Sequence, residues 1–353
     1  MKTGLGEQLR SLDGPILITG HTGFKGTWLT LLLERLGISV IGLSLPAQDG
    51  SLFNRLSRAG SIQEDFLDIR SFSAVKDFIG KFEPSVVFNL AAQPLVMESY
   101  KAPRETFETN VIGTVNVLDA CFQTESVKAI VAVTTDKVYR NDNSGKLFQE
   151  SDPLAGKDPY SASKVGSESA ISAWQQIQKI NGGPKVLSVR AGNVIGGGDW
   201  ATDRLLPDLI RGFLGDETIP IRNPNSTRPW QHVLDPLVGY VMAVEAILNG
   251  ETIDSLNFGP DEKSITVKEV VEKCGLTWNS SGSIKFDFQT QDASIEAINL
   301  DLDSKKARDE LGWRPKWSQI DAAISTTNWW KKVSNGECSP EKACLIDIER
   351  ALT

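Results

Sequence analysis

Only 2 histidines and 4 cysteines occur among 353 residues, and neither type gathers into a set of ligands. His21 and His232 lie far apart, and Cys121, Cys274, Cys338 and Cys344 are scattered. A metal centre needs three or four ligands at short spacings, so no metal is expected. The same thiols, in a chain that opens on the polar stretch MKTGLGEQLRSLDG rather than on a signal-like one, are expected to stay reduced in the cytoplasm. No apolar run approaches the roughly 18 residues of a membrane span, which argues against a membrane protein. Positive charge is also in short supply. A net charge of −8 and a pI near 5.1 repel phosphate backbones, so no nucleic-acid partner is expected and any phosphate binding must be local. Repeats, low-complexity linkers and long charge runs are missing as well.

What remains is the composition of a folded protein, 40% hydrophobic and 23% charged, long enough for two lobes. Short apolar segments, PILITG, ISVIGLSL, SIQEDF, PSVVFNLAA, KAIVAVTT and PKVLSVRAG, alternate with longer ones whose apolar residues recur every three or four positions. The longer ones include FKGTWLTLLLERLG, ETFETNVIGTVNVLDACFQT and SASKVGSESAISAWQQIQKI. This rhythm predicts an α/β fold, a doubly wound parallel sheet with helices on both faces. After about residue 192 it gives way to loops rich in Gly, Pro and Asp. Residues 1–192 are therefore expected to form a dinucleotide-binding domain of Rossmann type, and 193–353 mainly a smaller C-terminal lobe for substrate, with some segments rejoining the first sheet. The nine tryptophans, Trp313, Trp317, Trp329 and Trp330 among them, are expected in the core.

Three patterns carry chemistry. The first is ILITGHTGFKGTWL, which places Gly20, Gly23 and Gly26 between a strand and a helix. Glycines there allow a tight turn and let amides approach a pyrophosphate at the helix N-terminus. His21, Phe24 and Lys25 lie between them and join the cofactor-binding candidates; Lys25 either meets a phosphate or is an exposed lysine of the first turn. The second strand lacks a terminal acid for an adenosine ribose. Later strand ends offer Asp68 with Ile69, and Ala91 with Ala92, beside the cofactor, and Gln93 beside the substrate.

The second pattern, DPYSASK, sets Tyr160 and Lys164 on one helical face. The ammonium is expected to lower the phenol's pKa, so that the tyrosine accepts a proton from a sugar hydroxyl, with Thr135 sharing the hydrogen bond. The third, VAVTTDKVY, ends a strand on an acid and a base, Asp136 and Lys137, which are either a hydrated turn or catalytic groups. For a diphosphate, Arg228 in RPWQHVLD leads, with Asn193 and Arg204 behind it.

TGHTGFKGTWL, NLAAQPLV, ETNVIGTVNVLDA, TTDKVY, DPYSASK, RAGNVIGGGDWATDRLLPD, RPWQHVLD and LGWRPKWSQIDAAISTTNWW together resemble extended short-chain dehydrogenases/reductases acting on nucleotide sugars, over nearly the whole chain. Within them the likeness is to the 4,6-dehydratases. It implies NAD as cofactor and a reaction in three parts: oxidation at C4, loss of water across C5 and C6, and hydride return to C6. Tyr160 is implied as the base at the C4 hydroxyl, Lys164 as its partner and ribose ligand, and Thr135 as a positioning hydroxyl. Asp136 is the implied acid at C6, and Lys137 the base at C5 or the cation that stabilises the enolate. The triplet Thr135-Asp136-Lys137 matches members acting on CDP-glucose, which becomes the implied substrate. Residues 105–124 and 161–180 resemble the helices that pair across a four-helix interface, implying a homodimer. QDASIEAINLDLDSKKA departs from the epimerase pattern, lacking a second phosphate-binding arginine. Two other readings compete: a 4-epimerase or decarboxylase, which makes no use of Asp136 and Lys137, and a non-catalytic dinucleotide sensor, which dispenses with Tyr160 or Lys164.

Overall fold

The computed structural model describes residues 4–215, 218–279, 284–289 and 300–353. Seven short runs form one sheet: β1 (Ile16–Thr19), β2 (Val40–Ser44), β3 (Gln63–Phe66), β4 (Val86–Asn89), β5 (Ala129–Val133), β6 (Lys185–Ala191) and β7 (Ser255–Phe258). Their order is β7-β6-β5-β4-β1-β2-β3, and every pairing is parallel. The six strands expected before residue 192 all form, and β7 joins from beyond it. A parallel sheet must be covered on both faces, and the alternation within each strand divides its side chains accordingly. Ile16, Ile18, Ala129 and Val131 point to the core on the side of α1 (Phe24–Arg35). Leu17, Ile130 and Ala132 point to the other, against α2 (Phe72–Phe82), α3 (Gly113–Phe122) and α4 (Pro159–Asn181).

The stretch 105–124, expected as one helix, is broken. A short helix (Pro103–Phe107) passes through a π-helical turn (Glu108–Ile112) before α3 begins. The wider turn is stabilised by other bonds. Asn110 Nδ2 donates to Gln93 O and Ser163 Oγ, its Oδ1 accepts from Gln93 N, and its carbonyl accepts the Ser167 hydroxyl.

Beyond β6 come α5 (Leu205–Gly215) and α6 (Leu234–Leu248), then α7 (Val267–Trp278), α8 (Gln319–Ser334) and α9 (Pro340–Leu352), joined by two-stranded pairings such as Ile219–Arg222 with Phe286–Gln289. Trp313, Trp317, Trp329 and Trp330 are buried among them. Because β1 is flanked by β2 on one side and β4 on the other, the chain's direction of travel reverses there. In open parallel sheets the loops leaving such a pair of strands run to opposite sides, and the crevice between them at the strands' C-terminal ends is where ligands bind.

Candidate active site

The first wall of the crevice is main chain. β1 delivers Gly20 at φ 74°, against the end of β4, where a Cβ would stand 2.8 Å from the Ala91 nitrogen. A Cβ on Gly26 would lie 2.1 Å from the Gly20 carbonyl, so only glycine lets α1 pass this close. Gly23 is the N-cap of α1, no side chain caps that end, and its first turn holds no acid. Uncapped amides at a helix's positive end suit a pyrophosphate, and this cradle fits a dinucleotide. Ala91 and Ala92 are half-buried alongside; Ala91 N donates to Thr19 Oγ1. β2 ends in Ser44, whose hydroxyl lies 2.7 Å from that of Thr22.

Two loop side chains depart from expectation. The His21 imidazole is buried over Gly42, with Nε2 donating to Glu64 at 2.6 Å, so only its main chain can face the crevice. Burial holds its pKa below the ordinary value, against the pull of Glu64. Lys25 is no exposed lysine. Its Nζ lies 3.4 Å from the Tyr240 hydroxyl, and burial, with Arg204 and Lys164 nearby, lowers its pKa to about 7. Phe24 is half-buried against the core. Asp68 is gripped by Arg70, whose Nε and Nη2 donate at 2.9 and 2.6 Å, and Ile69 is buried against Gly113.

The second wall is built of side chains. β5 runs into a 3₁₀ turn, Asp136–Val138, capped by Thr135, whose Oγ1 accepts from Lys137 N at 3.4 Å. Asp136 is buried. Its Oδ1 accepts from Thr135 Oγ1 at 3.0 Å, while Oδ2 finds no hydrogen-bond partner among the described residues. Gly192 leaves that oxygen room, since a Cβ there would come within 3.1 Å of it. Burial raises the Asp136 pKa, outweighing Lys137, Thr135, Arg228 and Lys25, so the protonated carboxyl is favoured. Lys137 beside it is half-buried.

Facing this turn, α4 starts at an Asp158 cap, which accepts from Ser161 N at 2.9 Å, and Pro159 follows at its first position. At the next position the Tyr160 phenol is hydrogen-bonded to Thr135. Lys164 Nζ donates to Val133 O at 3.1 Å. Burial lowers the Lys164 pKa to about 8, with Glu168 opposing. The expected lowering of Tyr160 is not found. Burial pushes the phenol up to about 12, and the groups acting on it are Thr135, Asp136, Arg204 and Asp158 rather than Lys164.

The phosphate candidates converge here from distant sequence. Arg228 is half-buried and its charge acts on Asp136; Arg204, paired with Asp199 at 3.0 Å, acts on Tyr160 and Lys25. Asn193, next to Gly192, is half-buried. Gln93 is different: Nε2 donates to Leu95 O and Thr106 Oγ1, and Oε1 accepts from Leu95 N, so its amide is spent on its own loop. Residues 291–299 of the arginine-poor segment lie outside the described residues.

Sequence reading passed over Glu168, Arg190, Tyr139 and Tyr240. Glu168 and Arg190 form a buried pair behind the second wall. An arginine amid the apolar strand VLSVRAG, and a glutamate four residues past Lys164, were the available signals. Among the described residues no helix is long and apolar enough to cross a membrane.

The family model described as GDP-mannose 4,6 dehydratase matches residues 17–326. A CDP-glucose 4,6-dehydratase of Salmonella typhimurium is 40% identical over 331 residues, covering 91% of this chain and 92% of that protein. The crystal structure of dTDP-glucose 4,6-dehydratase from Bacillus anthracis in complex with NAD is 23% identical, with a TM-score of 0.77 over 92% of this chain and 98% of that one. UDP-glucose 4-epimerase from Thermotoga maritima, with UDP-glucose, is 22% identical, with a TM-score of 0.80 over 91% and 99%. With these two structures the likeness is one of fold.

Proposed function

The chain belongs to the GDP-mannose 4,6-dehydratase family, and we propose that it converts CDP-glucose to CDP-4-dehydro-6-deoxyglucose, with NAD as its cofactor. The observation that carries this reading is the Asp136 carboxyl, buried with one oxygen unpartnered and close to Tyr160. A 4-epimerase needs no acid there; a dehydratase must protonate a departing hydroxyl. The identity to the Salmonella enzyme supports the choice of CDP-glucose.

Gly20, Gly23 and Gly26 would hold the pyrophosphate of NAD, Ala91 and Ala92 would lie along its nicotinamide ribose, and Asp68 and Ile69 near its adenine. When bound, NAD supplies the hydride acceptor for oxidation at C4 and the donor for C6. Tyr160 Oη accepts the C4 hydroxyl proton as the phenolate, a form that the Lys164 ammonium and the positive charge of bound NAD would favour against the burial that raises its pKa, with Thr135 orienting the oxygen. Lys164 Nζ donates to Val133 O, and its remaining N–H groups would bind the ribose hydroxyls of NAD. Oxidation acidifies C5. Lys137 takes the C5 proton, while Asp136 donates its own to the C6 hydroxyl, which leaves as water. Burial raises the Asp136 pKa, the direction that an acid at this step needs. Arg228, with Arg204 and Asn193, would bind the diphosphate. Residues 1–192 thus serve mainly the cofactor, and 193–353 mainly the sugar nucleotide.

The test is incubation with NAD and, separately, CDP-, dTDP-, UDP- and GDP-glucose, with products identified by mass and NMR. A 4-keto-6-deoxy sugar from CDP-glucose is expected. The same product from another nucleotide alone moves the substrate assignment; a C4 epimer, or cofactor bound without turnover, ends the dehydratase reading.

A homodimer forms part of the proposal. The segments 105–124 and 161–180 carry Phe107, Ile112, Ile177 and Ile180, all exposed, the last at 79%, and pairing two copies would cover them. All four cysteines are free, which supports a cytoplasmic setting.

A further inference from the structure

We propose that Glu168 and Arg190 are positioning residues for the elimination half of the reaction, holding the segment that carries Asp136 and Lys137 at both of its ends. The inference rests on the dehydratase reading above.

At the first end, Thr134 Oγ1 donates to Glu168 Oε1 at 2.5 Å. At the other, Arg190 Nη1 donates to the Tyr139 hydroxyl at 2.8 Å, and the guanidinium lies over the Tyr139 ring, 5.2 Å from its centroid. Both anchors belong to one unit, because Arg190 Nε and Nη2 each donate to Glu168 at 2.8 Å. The pair is 6% and 5% exposed, where desolvation is costly and apolar packing would serve stability as well. What an ion pair adds is fixed direction: two forked bonds, each continued to a hydroxyl flanking the catalytic turn. Its placement is equally specific. Glu168 lies eight residues after Tyr160 and four after Lys164, on the same face of α4. The helix that carries Tyr160 and Lys164 therefore also sets where the acid at C6 and the lysine at C5 stand. Ser188 Oγ and the Glu150 carbonyl complete the pair's bonding, so it keeps partners when its ties to the turn are cut.

That separation gives the test. Thr134→Val with Tyr139→Phe removes both ties and strands no charge, and each single variant is measured beside it. In a single turnover with NAD and CDP-glucose, the double variant should still reduce the cofactor, then accumulate it in reduced form, as elimination slows by about 10²-fold, the cost of a misplacement near 1 Å. KM should hardly move, the single variants should show smaller delays, and Thr134→Ser should recover the parent rate. Parent-like elimination in the double variant overturns the proposal. So does an equal loss of oxidation and elimination, the result of general structural damage. A parent protein that makes no product from CDP-glucose overturns the underlying reading instead.

Discussion

The two walls of the crevice are made by different means. The cofactor wall is main chain brought close by missing side chains: Gly20 against Ala91, Gly26 against Gly20, and an uncapped helix end at Gly23. The acid–base wall is side chains held in a buried polar frame: Tyr160 on Thr135, Lys164 on Val133, and Glu168 with Arg190 behind them. The first depends on space, and is damaged by adding atoms. The second depends on charge and direction, and is damaged by removing them. Burial acts on the second wall: it shifts Asp136 towards the protonated form that an acid needs, and raises Tyr160 as well, against its role as a base.

The sharpest break in this comparison is Tyr160→Phe, which leaves the glycine cradle untouched while deleting the proton acceptor. C4 oxidation should fall by about 10⁴-fold, the upper end for general acid–base catalysis, with NAD affinity unchanged by calorimetry. Cofactor reduction at the parent rate would remove Tyr160 from the oxidation step.

Lys137→Ala divides the acid–base wall itself. Oxidation should survive and elimination slow by about 10²-fold, so that reduced cofactor builds up in stopped-flow absorbance. If no reduced cofactor forms although substrate and NAD bind, Lys137 belongs to the oxidation step; if product appears at the parent rate, it is only a turn residue.

Gly26→Ala attacks the other wall. A Cβ 2.1 Å from the Gly20 carbonyl must displace α1 or the loop, and overpacking of this kind costs about 1–3 kcal/mol, or roughly 5- to 150-fold in NAD affinity. With NAD saturating, kcat should recover most of its parent value. A kcat that stays low under saturation would show that the two walls are not separable.

The smallest effect is one of pH. Lys164 is charged below its lowered pKa of about 8 and neutral above it, and Asp136 donates only while protonated. Both requirements are lost in the same direction, so kcat/KM should fall as pH rises through about 8. Glu168→Gln removes the charge that opposes burial of Lys164, and should move this alkaline limb to lower pH. A limb that stays in place would detach it from Lys164.

Much of this molecule was written in local spacing. Short apolar runs set between segments of helical period marked six strands, and the packed sheet shares each strand's side chains between two cores, because successive side chains of a strand point to opposite faces. Glycines after β1 implied the cradle, since a close main-chain approach requires the lack of a Cβ at those positions themselves. The four-residue step from Tyr160 to Lys164 set both on one side of α4 for an equally local reason. The turn after β5 was legible as a site, and its acid and base were named.

What spacing did not determine was where side chains go once other elements arrive. Only the packed structure turns the His21 ring under β2 towards Glu64, draws Lys25 inward to Tyr240, and spends the Gln93 amide on Leu95 and Thr106. Only it opens a π turn at Asn110, joins Glu168 to Arg190 across 22 residues, and brings the charges of Arg204 and Arg228 to the groups on β5 and α4. The pKa of Tyr160 shows why. A helix places its lysine one turn away, which sequence reveals, but the phenol responds to the water it has lost, and that loss is the work of every element packed around it.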